Sequence, residues 1–285
     1  MDISAILSAF NLPPETTATA FKSLEDGSEY SAWKIDTSAA AYALKKSSQE
    51  EISVYQTFLS STEYGAPHLH KTLEHNGDHY ILIDYIDGTD LCHCTRPALT
   101  AVLDALMYLQ DEYWERRDLI SVGHGYEDSL CGRRERGNYL GNPALESAYA
   151  EFLRLYSLTP RTFCHDDLLP FNVLISSEKA VLIDWEYAGI LPYPTSLARL
   201  IAHGEEDPDA LFHMTADDKS FAVDYYFEHL IKSKGISYTD YRRTLDYFLL
   251  YEYCEWIMLG IKYGNTSSER YQKYLAKALE HLKTL

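Results

Sequence analysis

The chain has 285 residues, of which 46% are hydrophobic and 24% charged, and its formal net charge is −18. This length and hydrophobic content suit one large or two modest domains with a sizeable core. The excess of 43 acidic over 25 basic residues argues against nucleic acid or an anionic membrane as partner, because both need a basic surface. The same charge is compatible with a small cationic substrate.

The N-terminus and the cysteines indicate a cytoplasmic protein. The first residues, MDISAILSAFNL, lack the basic and then apolar pattern of a secretory signal. The most apolar late stretch, 247–263, is interrupted by Glu252, Glu255 and Lys262 and is too short to span a bilayer. The five cysteines have no framework spacing and suit a reducing compartment. Cys92-His93-Cys94 is not followed by a second pair of ligands at zinc spacing.

The beginning of the chain has mostly the pattern of β-strands. After a short helix at residues 2–10, strand patterns occur at residues 21–24, 30–35, 39–44, 68–73 and 80–85. The turn Glu25-Asp26-Gly27-Ser28 predicts one hairpin, and Asn76-Gly77-Asp78 predicts another. Between them, residues 48–60 have apolar side chains at helical spacing and a start that suits an N-terminal cap.

From residue 89 onward the pattern becomes helical, so we divide the chain near residue 88. Helices are predicted at residues 98–113, 143–156, 215–234, 237–262 and 271–282. The Gly-rich and charged segment 121–142 is predicted to be a long loop or an insertion.

The stretch from Phe163 to Leu200 carries the chemistry. Asp167 is followed five residues later by Asn172 and then by Asp184, at the end of the apolar run 180–183. In phosphoryl transfer, an Asp in the first position accepts or orients the proton of the acceptor hydroxyl. Asn172 and Asp184 offer the hard oxygen ligands that Mg²⁺ prefers, so the spacing predicts a magnesium site at nucleotide phosphates.

Two residues beside these have predicted supporting roles. Glu186 follows Asp184 by two residues and faces the same side if the backbone is extended, where it would hold a metal-bound water or face the substrate. His165 is grouped with Asp167 in the catalytic loop, which it is predicted to stabilise as a hydrogen-bond donor.

A lysine at a strand end indicates where phosphates would bind. Tyr42-Ala43-Leu44-Lys45 ends a predicted strand, and in kinases such a strand lysine pairs with the phosphates and with a helix glutamate. Glu51 is the predicted partner and Glu50 the alternative, because the sequence cannot separate them. Lys46 is the competing lysine.

Further nucleotide contacts are predicted from the turn and from the junction near residue 88. The turn that ends at Ser28 would cover the phosphates. Ile83-Asp84-Tyr85-Ile86 precedes Asp87-Gly88, and the Asp84 carbonyl and the Ile86 amide would bond adenine.

Together, Lys45, the helix glutamate, CHDDLLPFNVL at 164–174 and LIDWEYAG at 182–189 resemble the aminoglycoside phosphotransferase and choline kinase superfamily. The resemblance implies a two-lobed, protein-kinase-like α+β fold. A small antiparallel-sheet lobe at 1–88 would bind the nucleotide, and a larger, mainly helical lobe at 89–285 would carry catalysis and the substrate. It also implies ATP and Mg²⁺ as cofactors and a small-molecule hydroxyl as acceptor.

The motif block 163–189 looks most like bacterial choline kinases, which usually carry Asn where this chain has Asp166. Those enzymes place a Trp-x-x-Trp pair around the substrate cation. Tyr253-Cys254-Glu255-Trp256 has a similar spacing, which implies a cation site of Tyr253, Glu255, Trp256 and Glu186. The alternative is that these aromatic residues pack in the core.

Ser196-Leu197-Ala198 departs from the family, which usually has Asp-Leu-Ala with an Asp that braces the catalytic loop. Two functions follow. The first is an ATP-dependent kinase acting on choline, another amino alcohol or an aminoglycoside-like polycation. The second is a non-catalytic nucleotide-binding pseudokinase on the same fold.

Overall fold

The computed structural model describes residues 3–22, 27–62 and 64–285 of the chain. The first part forms an antiparallel five-stranded sheet with two short helices, which we call the sheet region. Its elements are α1 (Ile3–Ala9), β1 (Thr17–Lys22), β2 (Glu29–Asp36), β3 (Ala41–Ser47), α2 (Gln49–Val54), β4 (Leu69–His75) and β5 (Asp78–Asp84). The strand order is β1-β2-β3-β5-β4.

The turn residues explain why neighbouring strands pair antiparallel. Asn76 and Gly77 join β4 to β5 and have positive φ angles of 55° and 82°, as a two-residue hairpin turn requires. The predicted second hairpin is therefore confirmed. In the first predicted turn, Glu25 and Asp26 lie outside the described residues, whereas Gly27 and Ser28 directly precede β2.

Alternation along β5 gives the sheet two buried faces. Tyr80 and Leu82 belong to a small core with Ile6 and Phe10 at the N-terminus, whereas Ile81 and Ile83 belong to the large core of the molecule. Helix α2 lies on the large-core side. It begins after Ser48, whose hydroxyl accepts the Glu51 N–H at 3.0 Å, and it continues as a π-helical turn at Tyr55–Leu59.

The rest of the described chain, which we call the helical region, contains seven further helices and two short two-stranded ladders. The helices are α3 (Arg96–Glu112), α4 (Tyr126–Gly137), α5 (Pro143–Leu158), α6 (Pro194–Ala202), α7 (Ala216–His229), α8 (Tyr238–Lys262) and α9 (Glu269–His281). The ladders pair β6 (Arg161–Cys164) with β9 (Gly189–Pro192) and β7 (Val173–Ser176) with β8 (Lys179–Leu182). Among the described residues, no helix is long and apolar enough to cross a membrane.

The connection between the two regions runs past β7. Thr89 N–H donates to Ile175 O at 3.1 Å, and Ile175 N–H donates to Thr89 O at 2.7 Å. A Cβ on Gly88 would lie 2.7 Å from Ile175 O, so this close approach requires glycine. The predicted division at residue 88 falls in this connection and stays a prediction.

The prediction of a long loop at residues 121–142 is wrong, because this segment contains helix α4. Its buried residues, Tyr126, Ser129, Leu130 and Arg133, recur at helical spacing, but two of the four are polar. A search for apolar periodicity therefore misses the helix.

Two glycines let the segment before α4 cross the chain before β9. Gly123 and Gly189 form an isolated antiparallel bridge, and His124 N–H donates to Ala188 O at 2.9 Å. A Cβ on Gly189 would lie 2.4 Å from His124 O, and one on Gly123 would lie 2.3 Å from Ala188 O. Backbone contacts this short exclude a side chain at either position.

A buried lysine on α9 makes folding stability depend on pH. The Lys277 Nζ is buried without a hydrogen-bond partner among the described residues, and burial lowers its pKa from 10.5 to about 8. Between these values the unfolded chain binds the proton and the folded chain releases it, so stability relative to Lys277→Met should rise as pH increases from 8 to 10.5. After solvent screening we expect about 2 kcal/mol. Urea unfolding at several pH values measures it; the exposed Lys283→Met is the control, and a pH-independent difference would contradict the prediction.

Candidate active site

The loop after β6 holds Asp167 and Asn172 together. The chain turns at Asp166, which has a φ of 59°, a left-handed conformation that Asp tolerates better than most residues. Leu169 N–H donates to Asp167 O, and Asn172 N–H donates to Leu169 O, both at 2.8 Å. The Asn172 side chain closes the loop, because Nδ2 donates to Asp167 O at 2.8 Å and lies 3.5 Å from Asp167 Oδ2.

The β7–β8 ladder brings Asp184 to the same place. Ile183 N–H donates to Asn172 O at 2.9 Å, so Asn172 and Asp184 lie at one end of the ladder. Asp184 follows the strand with a φ of 66°. Asn172 and Asp184, which are twelve positions apart in the sequence, are therefore neighbours in the structure.

Lys45 joins this end of the ladder to the sheet region. Its Nζ lies 2.8 Å from Glu51 Oε1 and 2.5 Å from Asp184 Oδ1. Glu51, 1% exposed, also accepts the Ser47 hydroxyl at 2.6 Å and the Trp185 N–H at 3.2 Å. Burial favours neutral Lys45, but Glu51 and Asp184 outweigh it and raise the pKa of the lysine. The ammonium therefore stays charged between the two carboxylates.

The alternative residues for this pair lie elsewhere. Lys46 forms an exposed ion pair with Asp78 at 2.7 Å, on the far side of β3 from Lys45. Glu50 is exposed, whereas Glu51 is buried. The contact with Lys45 is thus made by the predicted partner, Glu51.

The residues at the end of the ladder fit a magnesium ion. Within the described chain, no hydrogen bond reaches Asn172 Oδ1 or Asp184 Oδ2, and both are hard oxygen donors. Among the described residues, no cluster of three or more His, Cys, Asp or Glu side chains could bind a metal ion through protein ligands alone. Magnesium commonly takes one or two protein carboxylates and completes its shell with phosphates and water, so this small donor set suits it.

The predicted nucleotide contacts lie along the sheet region. Asp84 ends β5, and its carboxylate accepts the His68 N–H at 3.0 Å and lies 2.6 Å from His70 Nε2. Its side chain is therefore engaged, and so is its N–H, which donates to His68 O at 3.1 Å. Ile86 follows β5, and its N–H has no backbone acceptor among the described residues. Ser28 precedes β2, the strand that pairs with β3 beside Lys45.

His165 is a buried part of the loop. Its Nε2 lies 2.8 Å from Ile183 O, its ring packs on Trp185 at 4.5 Å, and burial lowers its pKa. A neutral ring that donates to Ile183 O joins the loop to the strand before Asp184. The His165 N–H is bound by Ser196, whose hydroxyl accepts it at 2.9 Å. Ser196 thus braces the loop that carries Asp167 by a hydrogen bond, without the negative charge of the aspartate that the family usually has here.

Removing this brace should cost both stability and activity. Ser196 is fully buried, so Ser196→Ala leaves the His165 N–H without an acceptor, and we expect a loss of about 1–3 kcal/mol in the free energy of unfolding. Loosening the loop that carries Asp167 should also lower kcat by about tenfold. Denaturant unfolding and steady-state kinetics measure these effects. Ser157→Ala, which removes an exposed serine on α5, is the control; equal effects of the two changes would refute the role of Ser196.

Arg199 on α6 is a site residue that the sequence analysis missed. Its Nε and Nη2 donate to Asp167 Oδ1 at 3.1 and 2.8 Å, and its Nη1 donates to Glu252 at 2.8 Å and Glu255 at 2.7 Å. The signal was present, because Arg199 is the one charged residue of the helix sequence PTSLARLIA, whose other residues are all uncharged and buried in the structure. A cation on such a buried helix needs carboxylate partners.

Helix α4 adds two more arginines that were missed. Arg133 pairs with Asp166 at 2.6 Å, and its guanidinium carbon lies 4.9 Å from the ring centre of Tyr156 and 4.7 Å from that of Tyr251. Arg136 Nη1 donates to the Tyr251 hydroxyl at 2.7 Å and to Glu255 Oε1 at 2.6 Å. The acid at position 166 therefore has a partner on α4.

The structure divides the four predicted substrate residues. Glu255 lies in the arginine network, and Glu186 is exposed beside Asp184, with a pKa raised mainly by partial burial. Tyr253 and Trp256 pack instead against Tyr274 of α9, with ring centres 6.4 and 5.8 Å away. These contacts agree with the alternative that the sequence left open, in which Tyr253 and Trp256 pack against other side chains.

Comparison with known proteins gives one family and several similar structures. The model of a family described as "Phosphotransferase enzyme family" matches residues 22–226. No sequence match was found among curated proteins. A choline kinase from Cryptosporidium parvum Iowa II is 16% identical, with 99% of this chain and 96% of that chain covered and a TM-score of 0.64. A thermostable mutant of the aminoglycoside phosphotransferase APH(4)-Ia, in complex with ADP and hygromycin B, is 14% identical, with coverages of 99% and 98% and a TM-score of 0.62.

A third similar structure is the amicoumacin kinase hAmiN in complex with AMP-PNP, Ca²⁺ and Ami. It is 13% identical, with 99% of this chain and 92% of that chain covered and a TM-score of 0.61. At such identities the likeness concerns the fold. It confirms the predicted two-lobed, protein-kinase-like α+β architecture, with the five-stranded sheet in the smaller lobe.

Proposed function

Because the chain belongs to the phosphotransferase enzyme family, we propose that it transfers the γ-phosphate of ATP, with Mg²⁺, to a hydroxyl of a small molecule. The observation that carries the proposal is the position of Lys45 between Glu51 and Asp184, at the loop that holds Asp167 and Asn172. This arrangement joins a phosphate-binding cation, two metal-ligand oxygens and a candidate base in one site.

In the proposed reaction, the acceptor oxygen attacks the γ-phosphorus of ATP. The bond from that phosphorus to the β,γ-bridging oxygen breaks, ADP leaves with the bonding electrons, and the hydroxyl proton passes to Asp167. Arg199 holds Asp167 by its Oδ1, which leaves Oδ2 for the acceptor. Asn172 and Asp184 would hold Mg²⁺, whose charge offsets that of the phosphates when it is bound.

The sheet region would hold the nucleotide. Lys45 would contact the phosphates, and the backbone near Ser28 would cover them. The Asp84 carbonyl and the Ile86 N–H would bond adenine. Support comes from the Ile86 N–H, which has no backbone acceptor in the described part of the chain, and from the engagement of the Asp84 side chain by His68 and His70. The division into a nucleotide lobe at 1–88 and a catalytic lobe at 89–285 belongs to the same proposal.

The second candidate function is that of a non-catalytic nucleotide-binding protein. It was suggested by Ser196, which stands where the family usually has an aspartate. The hydrogen bond from the His165 N–H to Ser196 supports the catalytic proposal instead, because the loop keeps its brace. Asn172, Asp184 and Lys45 are also all present, and a decayed site would have no need to keep them together.

Purified protein, ATP, MgCl₂ and a panel of hydroxyl compounds test the proposal. ADP release should depend on the acceptor, stop when EDTA removes Mg²⁺, and yield an acceptor that mass spectrometry shows to carry one phosphate. The same assay with GTP determines the nucleotide preference. Saturable ATP binding without transfer to any acceptor would favour the non-catalytic function.

The sequence predicts a cationic acceptor, such as an amino alcohol or an aminoglycoside-like compound. Its support is the net charge of −18 and the likeness to a choline kinase and to an enzyme bound to hygromycin B.

A further inference from the structure

The guanidinium of Arg199 is held by carboxylates on two sides. Its Nε and Nη2 donate to Oδ1 of Asp167, and its Nη1 donates to Glu252 Oε2 at 2.8 Å and to Glu255 Oε2 at 2.7 Å. Glu252 and Glu255 both lie on α8. Because the guanidinium is a rigid, planar group, the carboxylates that fix its Nη1 also fix the edge that it presents to Asp167.

Glu252 is the more deeply buried of the two carboxylates on α8. Its side chain is 2% exposed, against 16% for Glu255, whose other oxygen pairs with the partly exposed Arg136. Burial alone would raise the pKa of Glu252, but Arg199 and His203 outweigh this effect and lower the pKa, so the carboxylate stays charged. The anion that anchors Arg199 within the protein is therefore Glu252.

His203, the residue that follows α6, lies against this ion pair. Its Nε2 lies 3.4 Å from Glu252 Oε2 and 3.5 Å from Arg199 Nη1, and its side chain is buried. Its Nδ1 shares a hydrogen bond of 2.7 Å with the hydroxyl of Tyr274 on α9. In either tautomer, one ring nitrogen faces the ion pair and the other is bound to α9.

Tyr274 is fixed in turn by packing. Its buried ring stacks on Trp256 with ring centres 5.8 Å apart, and it meets the ring of His203 edge to face at 5.5 Å. Burial raises the pKa of the Tyr274 hydroxyl, which therefore keeps its proton at neutral pH. An unbroken series of contacts thus runs from α9 through His203 and Glu252 to Arg199 and Asp167.

We propose that Tyr274, His203 and Glu252 are positioning residues, which hold Arg199 so that Arg199 orients Asp167 toward the acceptor. This inference rests on the proposed kinase function. Oδ1 of Asp167 is bound twice by Arg199, so turning the carboxylate would break both bonds, and Oδ2 keeps one direction. The direction matters, because a displacement of about 1 Å at a reacting group can cost about a hundredfold in rate. Helix α9 thus contributes to the geometry of the catalytic loop.

A double-mutant cycle tests whether Glu252 acts through Asp167. Glu252→Gln keeps the size of the side chain and removes its charge, so kcat should fall by about tenfold while KM for ATP stays unchanged. In the Asp167→Asn background the same change should have no further effect on kcat, because the group that Glu252 positions is already gone. Equal losses of kcat in the two backgrounds would overturn the proposal, since they would indicate a general disturbance of the fold.

A milder variant on α9 tests the far end of the series. Tyr274→Phe removes the hydroxyl that binds His203 and keeps the ring that packs on Trp256, so kcat should fall by about threefold, the effect of one lost hydrogen bond. The control is Tyr271→Phe on the same helix, because the Tyr271 hydroxyl has no hydrogen-bond partner in the described part of the chain. Equal kcat for these two variants would exclude Tyr274 from the positioning residues.

A measurement without turnover separates failure of this inference from failure of the proposed function. The Nε–H of Arg199 gives a side-chain signal in NMR spectra of the full, isotope-labelled chain, assigned as the signal that Arg199→Lys loses. Its exchange with solvent should be about tenfold faster in Glu252→Gln, faster to a smaller extent in Tyr274→Phe, and unchanged in Tyr271→Phe. An unchanged rate in Glu252→Gln would refute the positioning even in an active kinase. Faster exchange in a chain that phosphorylates no acceptor would support the hold on Arg199 and contradict the proposed function alone.

Discussion

Replacing Asp167 by asparagine should lower kcat by about a thousandfold, because the variant can no longer take up the acceptor proton. Asparagine keeps the size of the side chain and an oxygen for Arg199, which also remains bound to Glu252 and Glu255. The loop should therefore keep its shape, and ATP affinity should not change. Steady-state kinetics measures kcat, and calorimetric titration with a non-hydrolysable ATP analogue measures nucleotide binding.

The control for this prediction is Asp209→Asn, which changes an exposed aspartate in the segment between α6 and α7. It should have wild-type kcat. Retention of wild-type turnover by Asp167→Asn would remove the proposed base from the reaction. A loss of ATP affinity equal to the loss of kcat would instead indicate that the change disturbs the nucleotide site.

The second large effect is expected at Lys45, where one substitution should reduce both catalysis and stability. Lys45→Met removes the cation between Glu51 and Asp184 and should lower kcat/KM by about 10²–10³-fold. It also leaves the buried Glu51 carboxylate without its ion-pair partner, which should cost about 3–5 kcal/mol of folding stability. Kinetics and urea unfolding measure the two effects separately.

The double variant Lys45→Met/Glu51→Gln distinguishes the two roles of this pair. Glutamine removes the buried charge, its carbonyl oxygen can accept the Trp185 N–H, and its NH2 group can donate to the Ser47 hydroxyl oxygen, so stability should return while activity stays low. Lys46→Met removes the exposed neighbouring lysine and should change neither quantity by much. A double variant as unstable as Lys45→Met would show that the cost has another origin.

The groups of the site that the sequence predicted are those placed by local structure. Lys45 lies two residues before the end of β3, and Glu51 lies three residues after the capping Ser48, so the short connection from strand to helix determines their meeting. Asn172 and Asp184 flank a short hairpin whose register brings them together. In such cases the spacing along the chain fixes the distance in space.

The groups that the sequence did not predict depend on contacts between distant elements. Arg199 meets Glu252 across 53 positions, and Arg133 meets Asp166 across 33. A charged residue shows in the sequence that it needs a partner, but not which partner it has. The same limit applies to Tyr253 and Trp256, because their spacing on a helix does not tell which neighbouring helix they face.

The crossing of Gly123 and Gly189 has a consequence for protein engineering. Since each glycine leaves room for the backbone of the other segment, the two positions act as one unit in any transfer of α4 to a related scaffold. A graft of residues 126–137 would carry Arg133 and Arg136 but not the preceding segment, whose crossing at Gly123 positions the helix. The recipient would need glycine at both crossing positions, and a single alanine at either one would displace the transplanted helix from its carboxylate partners.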